Sequence, residues 1–245
     1  MSEAAISAVI PLRNRTGIRL ENCLRSLRWQ KLPTPADLEI VLSDFGSDPE
    51  NASSIDAIAE RYGARVVRTR TDETWNRSRA LNAALRCVHA PISFCTDADM
   101  LFESNFVPMV LDALREAPGR ALVLCRCRDL PDLGPERSYD ENEYPDLKAG
   151  ATMRTAMGTG ACQATSTDWI NSVGGYDEKY VYWGFEDKDM VHRAAKAGLE
   201  LCWIHERTSM LHQWHPRTIK GRRARVYLNK IRYYLTRGTI VKNAS

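Results

Sequence analysis

Residues 76–99 read NRSRALNAALRCVHAPISFCTDAD. Leu81, Ala84, Leu85 and Val88 recur at helical spacing, which predicts a helix over residues 76–88. Residues 91–95 (PISFC) predict a short strand, and Thr96-Asp97-Ala98-Asp99 stands at its end. Asp97 and Asp99 flank one alanine, so in extended backbone both carboxylates point the same way and can face one site. A helix, a strand and polar residues at the strand's end form one unit, and the chain on either side repeats it.

Upstream, residues 6–12 (ISAVIPL) predict a buried first strand with Arg13, Asn14 and Arg15 at its C-terminal end. Leu20, Cys23, Leu24 and Leu27 give a first helix, and residues 38–42 (LEIVL) a second strand ending in Ser43-Asp44-Phe45-Gly46. Asp48 and Pro49 suit the N-cap and N1 positions of a helix carrying Ile55, Ile58, Ala59 and Tyr62, which Gly63 stops before a third strand at 64–67. Downstream, Ser104 is read as the cap of a helix at 106–114, followed by a strand at 121–125. Strands alternating with helices predict a mostly parallel α/β sheet with right-handed crossovers. Ligands of such sheets sit at the carboxyl ends of the strands, where Arg13, Arg15, Asp44, Asp97 and Asp99 all fall.

The second half is less regular. Residues 128–157 are rich in Pro, Asp, Glu and Gly; a mobile surface loop and a loop that orders over substrate both fit them. Order returns over 158–165, with a short helix near 168–173 and a Gly174-Gly175 turn. Residues 182–198 (YWGFEDKDMVHRAAKAG) carry an aromatic turn into Glu186 and Asp187 and then a helix with Met190, Val191, Ala194 and Ala195 on one side and Gly198 as its stop. Carboxylates at a helix start face the positive end of the helix dipole, which favours their ionised form. They can serve as simple caps, or one can be a general base. A strand at 199–204 follows, then His205, His212 and His215.

The formal charge of +3, from 34 basic and 31 acidic side chains, is too small to imply nucleic acid. The first residues, MSEAAISAVIPLRNR, have neither the basic region nor the apolar run of a signal peptide, and no stretch approaches a membrane span. Seven scattered cysteines argue against a disulfide framework, so reduced thiols and a cytoplasmic protein are expected. No GxxxxGK[ST] loop, GxGxxG turn, GxSxG elbow or HExxH pair occurs.

Hard carboxylate oxygens at Asp97 and Asp99 suit Mg²⁺ or Mn²⁺, and a neutral imidazole nearby tilts the choice to Mn²⁺. An Asx-turn explains an Asp-x-Asp equally well. Coupled to arginines at neighbouring strand ends, the pair reads as a diphosphate site.

Four segments together resemble a known family: IPLRNR (10–15), WNRSRALNAAL (75–85), TDAD (96–99) and WGFEDKD (183–189). The chain is similar to metal-dependent glycosyltransferases of the GT-A fold, and most to β-1,4-galactosyltransferases and the transferase domains of bacterial chondroitin polymerases. The resemblance spans residues 6–216 and implies a role for each matching residue. Pro11, Arg13 and Arg15 would line a uridine diphosphate, Asp44 would pair with the uracil ring, and Trp75 and Arg77 would contact the nucleotide. Asp97 would lie near the ribose, and Asp99 would bind the metal with His212, His215 standing close behind as an alternative ligand. Trp183 and Glu186 would contact acceptor and donor, and Asp187 would be the catalytic base. Leu12 and Trp75 depart from the galactosyltransferase pattern, which has phenylalanine at both places.

The expectation is one GT-A-like catalytic domain over 1–218, with a Rossmann-type nucleotide half (1–100) and an acceptor half (101–218), and a basic helical segment at 219–245. The reaction implied is inverting transfer from a UDP-sugar to a saccharide hydroxyl, in bacterial surface polysaccharide or glycan synthesis. A sugar nucleotidyltransferase and a non-catalytic sugar-nucleotide or glycan binding module are the rival readings. Residues 219–242 carry Lys220, Arg222, Arg223, Arg225, Lys230, Arg232, Arg237 and Lys242 with no acidic residue, interleaved with Val226, Leu228, Ile231, Tyr234 and Leu235. A helix packed on the catalytic domain and a surface for an anionic membrane or an acidic, lipid-linked acceptor both fit this pattern.

Overall fold

The computed structural model describes residues 4–155, 158–182, 184–216 and 223–243. In chain order the elements are β1 (Ile6–Leu12), α1 (Ile18–Arg28), β2 (Leu38–Phe45), α2 (Pro49–Arg61), β3 (Arg65–Thr69), α3 (Arg77–Leu85), β4 (Ile92–Cys95), β5 (Met100–Phe102), α4 (Phe106–Glu116), β6 (Ala121–Leu124) and β7 (Cys127–Asp129). Then come α5 (Tyr144–Gly150), β8 (Thr152–Met153), β9 (Gln163–Ser166), α6 (Thr167–Ser172), α7 (Glu186–Lys196), β10 (Glu200–Trp203), β11 (Met210–His212) and α8 (Arg223–Thr236).

Seven strands form the main sheet in the order β10-β6-β9-β4-β1-β2-β3. All pairings are parallel except those of β9, which runs antiparallel to β4 and β6. Every residue of β1 is buried, as a strand covered on both faces requires. Ile6, Ala8, Ile10 and Leu12 face a core shared with α1, α2 and α4; Val9 faces the other way, onto Leu81 and Leu85 of α3 and Met190 of α7. The expected mostly parallel α/β sheet is therefore present, with helices on both faces.

Several boundaries differ from those the sequence suggests. The helix at 76–88 spans Arg77–Leu85, with Asn76 as its cap accepting from Arg79 N at 3.0 Å. Asn105, not Ser104, stands at the N-cap of α4. β2 runs on through Ser43, Asp44 and Phe45, because pairing with β3 continues to Phe45 opposite Thr69. Gly174 and Gly175 form the expected turn, with φ of 76° and 66°. A Cβ on Gly174 would stand 1.9 Å from the carbonyl oxygen of Lys242, so only glycine fits there.

A second sheet, ordered β5-β11-β7-β8, was not legible beforehand. Its strands have two or three residues, too few to show a two-residue period. One face adds Met100, Phe102, Cys127 and Met210 to the main core. The other carries Leu101 and Leu211, covered by Tyr139, Tyr144 and Leu147. Much of residues 128–157 is thus folded: Pro145 opens α5, and Tyr144 and Leu147 hold that helix down as a lid on the small sheet.

The end of the chain is tied to α7 by buried charges. Asp189 and Arg193 pair within α7 at 2.8 Å, both fully buried. Arg232 of α8 grips Asp177 at 2.7 Å, and Lys242 lies 3.6 Å from Asp177 and 3.8 Å from Asp189. All seven cysteines are unpaired. Among the described residues no helix is long and apolar enough to cross a membrane.

Candidate active site

The small sheet builds one end of the site. β11 lies between β5 and β7, which sets His212 opposite Met100 on one side and Asp129 on the other. Asp99 immediately precedes Met100, and its carbonyl oxygen accepts from Gln213 N at 3.0 Å. His215 follows three residues after His212 and returns to the same carboxylate. Asp99, His212 and His215 can each offer one ligand atom, and these atoms lie within 4.8 Å of one another. Asp99 Oδ2 is 3.4 Å from His215 Nε2 and 3.8 Å from His212 Nε2.

Burial opposes the charge on Asp99. The hydrogen bond from His215 and the nearby His212 and Arg15 nonetheless hold its carboxyl below the usual carboxylate range. Burial moves His212 down, toward the neutral imidazole that can ligate, while the bond to Asp99 moves His215 up. His212 Nδ1 stands 3.1 Å from Asp129 Oδ1. Asp129 is itself held by Arg154, whose Nε donates to Oδ2 at 3.0 Å. A carboxylate on Nδ1 fixes the ring so that Nε2 is left for the ligand position. One carboxylate oxygen and two imidazole nitrogens fit Mn²⁺ better than Mg²⁺, which prefers an all-oxygen shell.

The other end is the start of α7. Tyr182 and Phe185 hold left-handed backbone at φ 77° and 76°, and Gly184, just before Phe185, has φ 98°. Left-handed geometry is unusual for aromatic residues, and such strain concentrates at functional turns. The turn delivers Glu186 and Asp187 into the fold. Asp187 Oδ2 accepts from Thr159 Oγ1 at 3.1 Å and Thr159 N at 3.3 Å. Its carbonyl oxygen accepts from Gln163 Nε2 at 2.9 Å, and Tyr176 donates to the far end of Gln163 at 2.7 Å. Glu186 is 4% exposed. Burial, and then the charge of Asp187, push its carboxyl up to about 7 against the pull of Arg77.

Arg77 joins the two ends. Its Nε and Nη2 donate to Asp97 Oδ1 at 3.1 and 2.9 Å, Nη2 also donates to Gly160 O at 2.8 Å, and Nη1 is 4.0 Å from Glu186 Oε1. Arg77 Nη1 and Glu186 Oε2 are buried without a hydrogen-bond partner. Each of these atoms keeps a hydrogen bond to make, Nη1 as donor and Oε2 as acceptor or, when protonated, donor.

Other sequence-derived residues fall as follows. Pro11 is buried in β1 opposite Ser43. Arg13 donates to the carbonyl oxygen of Glu73. Arg15 is exposed and near enough to Asp99 and His215 to act on both. Trp75 packs edge-on against Phe45 at 6.1 Å, and its carbonyl oxygen accepts from Tyr182 N at 2.9 Å. Trp183 lies outside the described residues.

Two of these residues have partners of their own within the fold, and one local expectation needs correction. Asp44 has no exposed surface; Oδ2 takes Arg68 Nε at 2.8 Å and Oδ1 takes Ser47 N at 3.1 Å. Extension of β2 sets it opposite Arg68 across the β2–β3 ladder, where it anchors that arginine. Arg77 is 6% exposed and braces Asp97 and Glu186. Asp97 and Asp99 do not act as an extended pair: the backbone turns at Ala98–Asp99, and the two carboxylates take different partners. His205 stays apart from the cluster, against Trp203 and Glu206. The spacing of Asp129, Arg154, Thr159 and Gln163 carries no signal in the sequence, and only the tertiary fold brings them to the site.

A family model described as "Glycosyl transferase family 2" matches residues 7–170, and one described as "N-terminal domain of galactosyltransferase" matches residues 145–216. A curated relative, validoxylamine A glucosyltransferase of Streptomyces hygroscopicus subsp. limoneus, is 25% identical over 225 residues, with 80% of this chain and 49% of that protein covered. The chain thus spans about half the length of that relative. Among solved structures, the mannosyltransferase PcManGT of Pyrobaculum calidifontis, in complex with GDP-Man and Mn²⁺, superposes with a TM-score of 0.62 at 18% identity, covering 96% of this chain and 63% of that one. GalNAc-T7 with UDP, GalNAc and Mn²⁺ gives 0.69 at 15% identity, covering 93% and 48%. With its first 170 residues spanned by one family model from residue 7 onward, and with this sheet, the chain belongs to glycosyl transferase family 2 and has the GT-A fold.

Proposed function

We propose that the protein transfers a sugar from a UDP-sugar to a saccharide hydroxyl with inversion at the anomeric carbon. The observation that carries this reading is the span of Arg77 from Asp97, beside the Asp99–His212–His215 cluster, to Glu186, beside Asp187. A phosphate-binding metal centre and a carboxylate base are thereby held on one rigid link.

Asp99, His212 and His215 would hold Mn²⁺, which neutralises charge on the leaving diphosphate when bound. Arg15 stands where it can share that diphosphate by charge-assisted hydrogen bonds. Glu186 and Arg77 offer the unpaired oxygen and nitrogen to a sugar hydroxyl of donor or acceptor. Thr159 turns Asp187 Oδ2 and Gln163 pins its backbone, so the carboxylate is aimed before substrate arrives. Asp187 takes the acceptor proton as the hydroxyl oxygen attacks the anomeric carbon from the face opposite the diphosphate. One bond forms as the C–O bond to diphosphate breaks, and a single in-line displacement inverts the centre. The logic parallels inverting glycosidases, in which a base activates the nucleophile and no covalent intermediate forms.

Solved relatives with GDP-Man or UDP and Mn²⁺ support a nucleotide-sugar donor and a divalent metal. Membership of family 2 weighs against the sugar nucleotidyltransferase reading. We place the enzyme in bacterial surface polysaccharide or glycan synthesis, in the cytoplasm. The deciding experiment is UDP release from a panel of UDP-sugars, with GDP-mannose as a control, with and without Mn²⁺ and candidate saccharide acceptors. Acceptor-stimulated, Mn²⁺-dependent release and an inverted product by NMR are expected. Donor binding without turnover on any acceptor would favour a binding module, and retention would remove the displacement mechanism.

A further inference from the structure

The C-terminal helix leaves a face open that nothing in the transfer reaction uses. Tyr227, Leu228, Ile231, Tyr234 and Leu235 are all exposed, from 40% at Ile231 to 79% at Leu235. Their spacing places them on one arc of α8. The opposite side is fastened to the catalytic body. Asn229 Nδ2 donates to the carbonyl oxygens of Val181 and Gly184 at 3.1 and 3.2 Å, Arg232 grips Asp177, and the Tyr233 ring lies 5.7 Å from Phe185. α8 is therefore packed inward on the catalytic body, and its outward face is apolar.

Scattered surface apolar residues need no explanation, but five on one helical face do. The charge around them selects the occupant. Arg225, Lys230 and Arg237 are exposed on the same helix or just beyond it, and no Asp or Glu follows Glu206 in the chain. A second copy of this chain would set the same basic surface against itself. An apolar strip with two tyrosines, flanked by lysine and arginine, matches instead the boundary between anionic headgroups and acyl chains.

We propose that the outer face of α8 docks the protein on an anionic lipid bilayer. The face belongs to the helix that buttresses the Gly184–Phe185 turn into Glu186 and Asp187, so docking there holds the base end of the site close to the membrane. The proposal does not depend on the transfer reading, because binding is measured without turnover.

The test is co-sedimentation of the whole chain with phosphatidylcholine vesicles, with and without phosphatidylglycerol, at about 50 mM and about 500 mM salt. Pelleting is expected only with phosphatidylglycerol at low salt. The double variant Leu228→Glu with Leu235→Glu should weaken binding by about tenfold or more, with an unchanged thermal melt, since both side chains are exposed. Lys230→Glu with Arg237→Glu tests the charge separately and should weaken binding to anionic vesicles alone. Wild-type protein left in the supernatant at low salt would overturn the proposal, as would variants that pellet as well as wild type. A dimer in sedimentation velocity that the leucine variant dissolves, without vesicle binding, would assign the face to a second copy instead.

Discussion

The two ends of the site hold carboxylates in opposite electrostatic states. Asp99 is partly buried yet held below the usual carboxylate range, because His215 donates a hydrogen bond to it and His212 and Arg15 stand near. Glu186 is the more deeply buried of the two, its closest cation stands off at 4.0 Å and Asp187 adds a negative neighbour, so its carboxyl moves up to about 7. Residue type is nearly the same; surroundings decide the role. An ionised carboxylate with two imidazoles suits a cation, and a carboxyl near its midpoint at neutral pH suits a hydroxyl that gives or takes a hydrogen bond.

Breaking the metal end should have the largest effect. Asp99→Ala is expected to abolish Mn²⁺-dependent UDP binding and to lower turnover on the order of a thousandfold. Calorimetry with Mn²⁺–UDP and a circular dichroism melt check it together; wild-type affinity in a folded variant would remove Asp99 from the cluster.

At the base end, Asp187→Asn is nearly isosteric and keeps the acceptors for Thr159 and Gln163, but it cannot take a proton. Turnover should fall about a hundredfold or more while UDP-sugar affinity stays within about a few-fold of wild type. A parallel loss of binding would show that Asp187 positions the donor instead of acting as base.

The comparison sharpens one residue further out. Asp129→Asn removes the charge behind His212 without emptying its place and should weaken Mn²⁺ affinity by about tenfold. Direct Mn²⁺ titration by electron paramagnetic resonance separates this from any change in turnover. An unchanged affinity would leave His215 and Asp99 as sufficient.

The smallest effect tests the charge state of Glu186. Its folded pKa is raised, so the neutral form prevails below about pH 7 and ionisation costs stability as pH rises through that value. Glu186→Gln mimics the neutral form. A pH profile of donor binding should inflect near about 7 in wild type and lose that inflection in the variant, with similar affinities at low pH. An inflection that survives in the variant belongs to another group.

The sequence by itself determined the parallel sheet, since buried strands such as residues 6–12 and helices such as 77–85 announce themselves through local periodicity. It also singled out Asp99, Glu186 and Asp187 as candidates, because TDAD and FEDKD stand at a strand end and a helix start that are themselves legible, whereas His212 came only from the family resemblance. His215 stood in reserve, three residues on, with nothing local to decide between the histidines. Tertiary structure alone drew them together: β11 inserts between β5 and β7, and that pairing of three-residue strands sets His212 between Asp99 and Asp129. The same holds for the partners of Asp44, which depend on which residue of β3 it meets, and for those of Arg77, which reaches both Asp97 and Glu186. Periodicity reports which residues are buried against their own element's neighbours; it carries no information on which distant carboxylate a given arginine or histidine will face. That choice belongs to strand register and helix packing, which are decided over separations of twenty to more than a hundred residues.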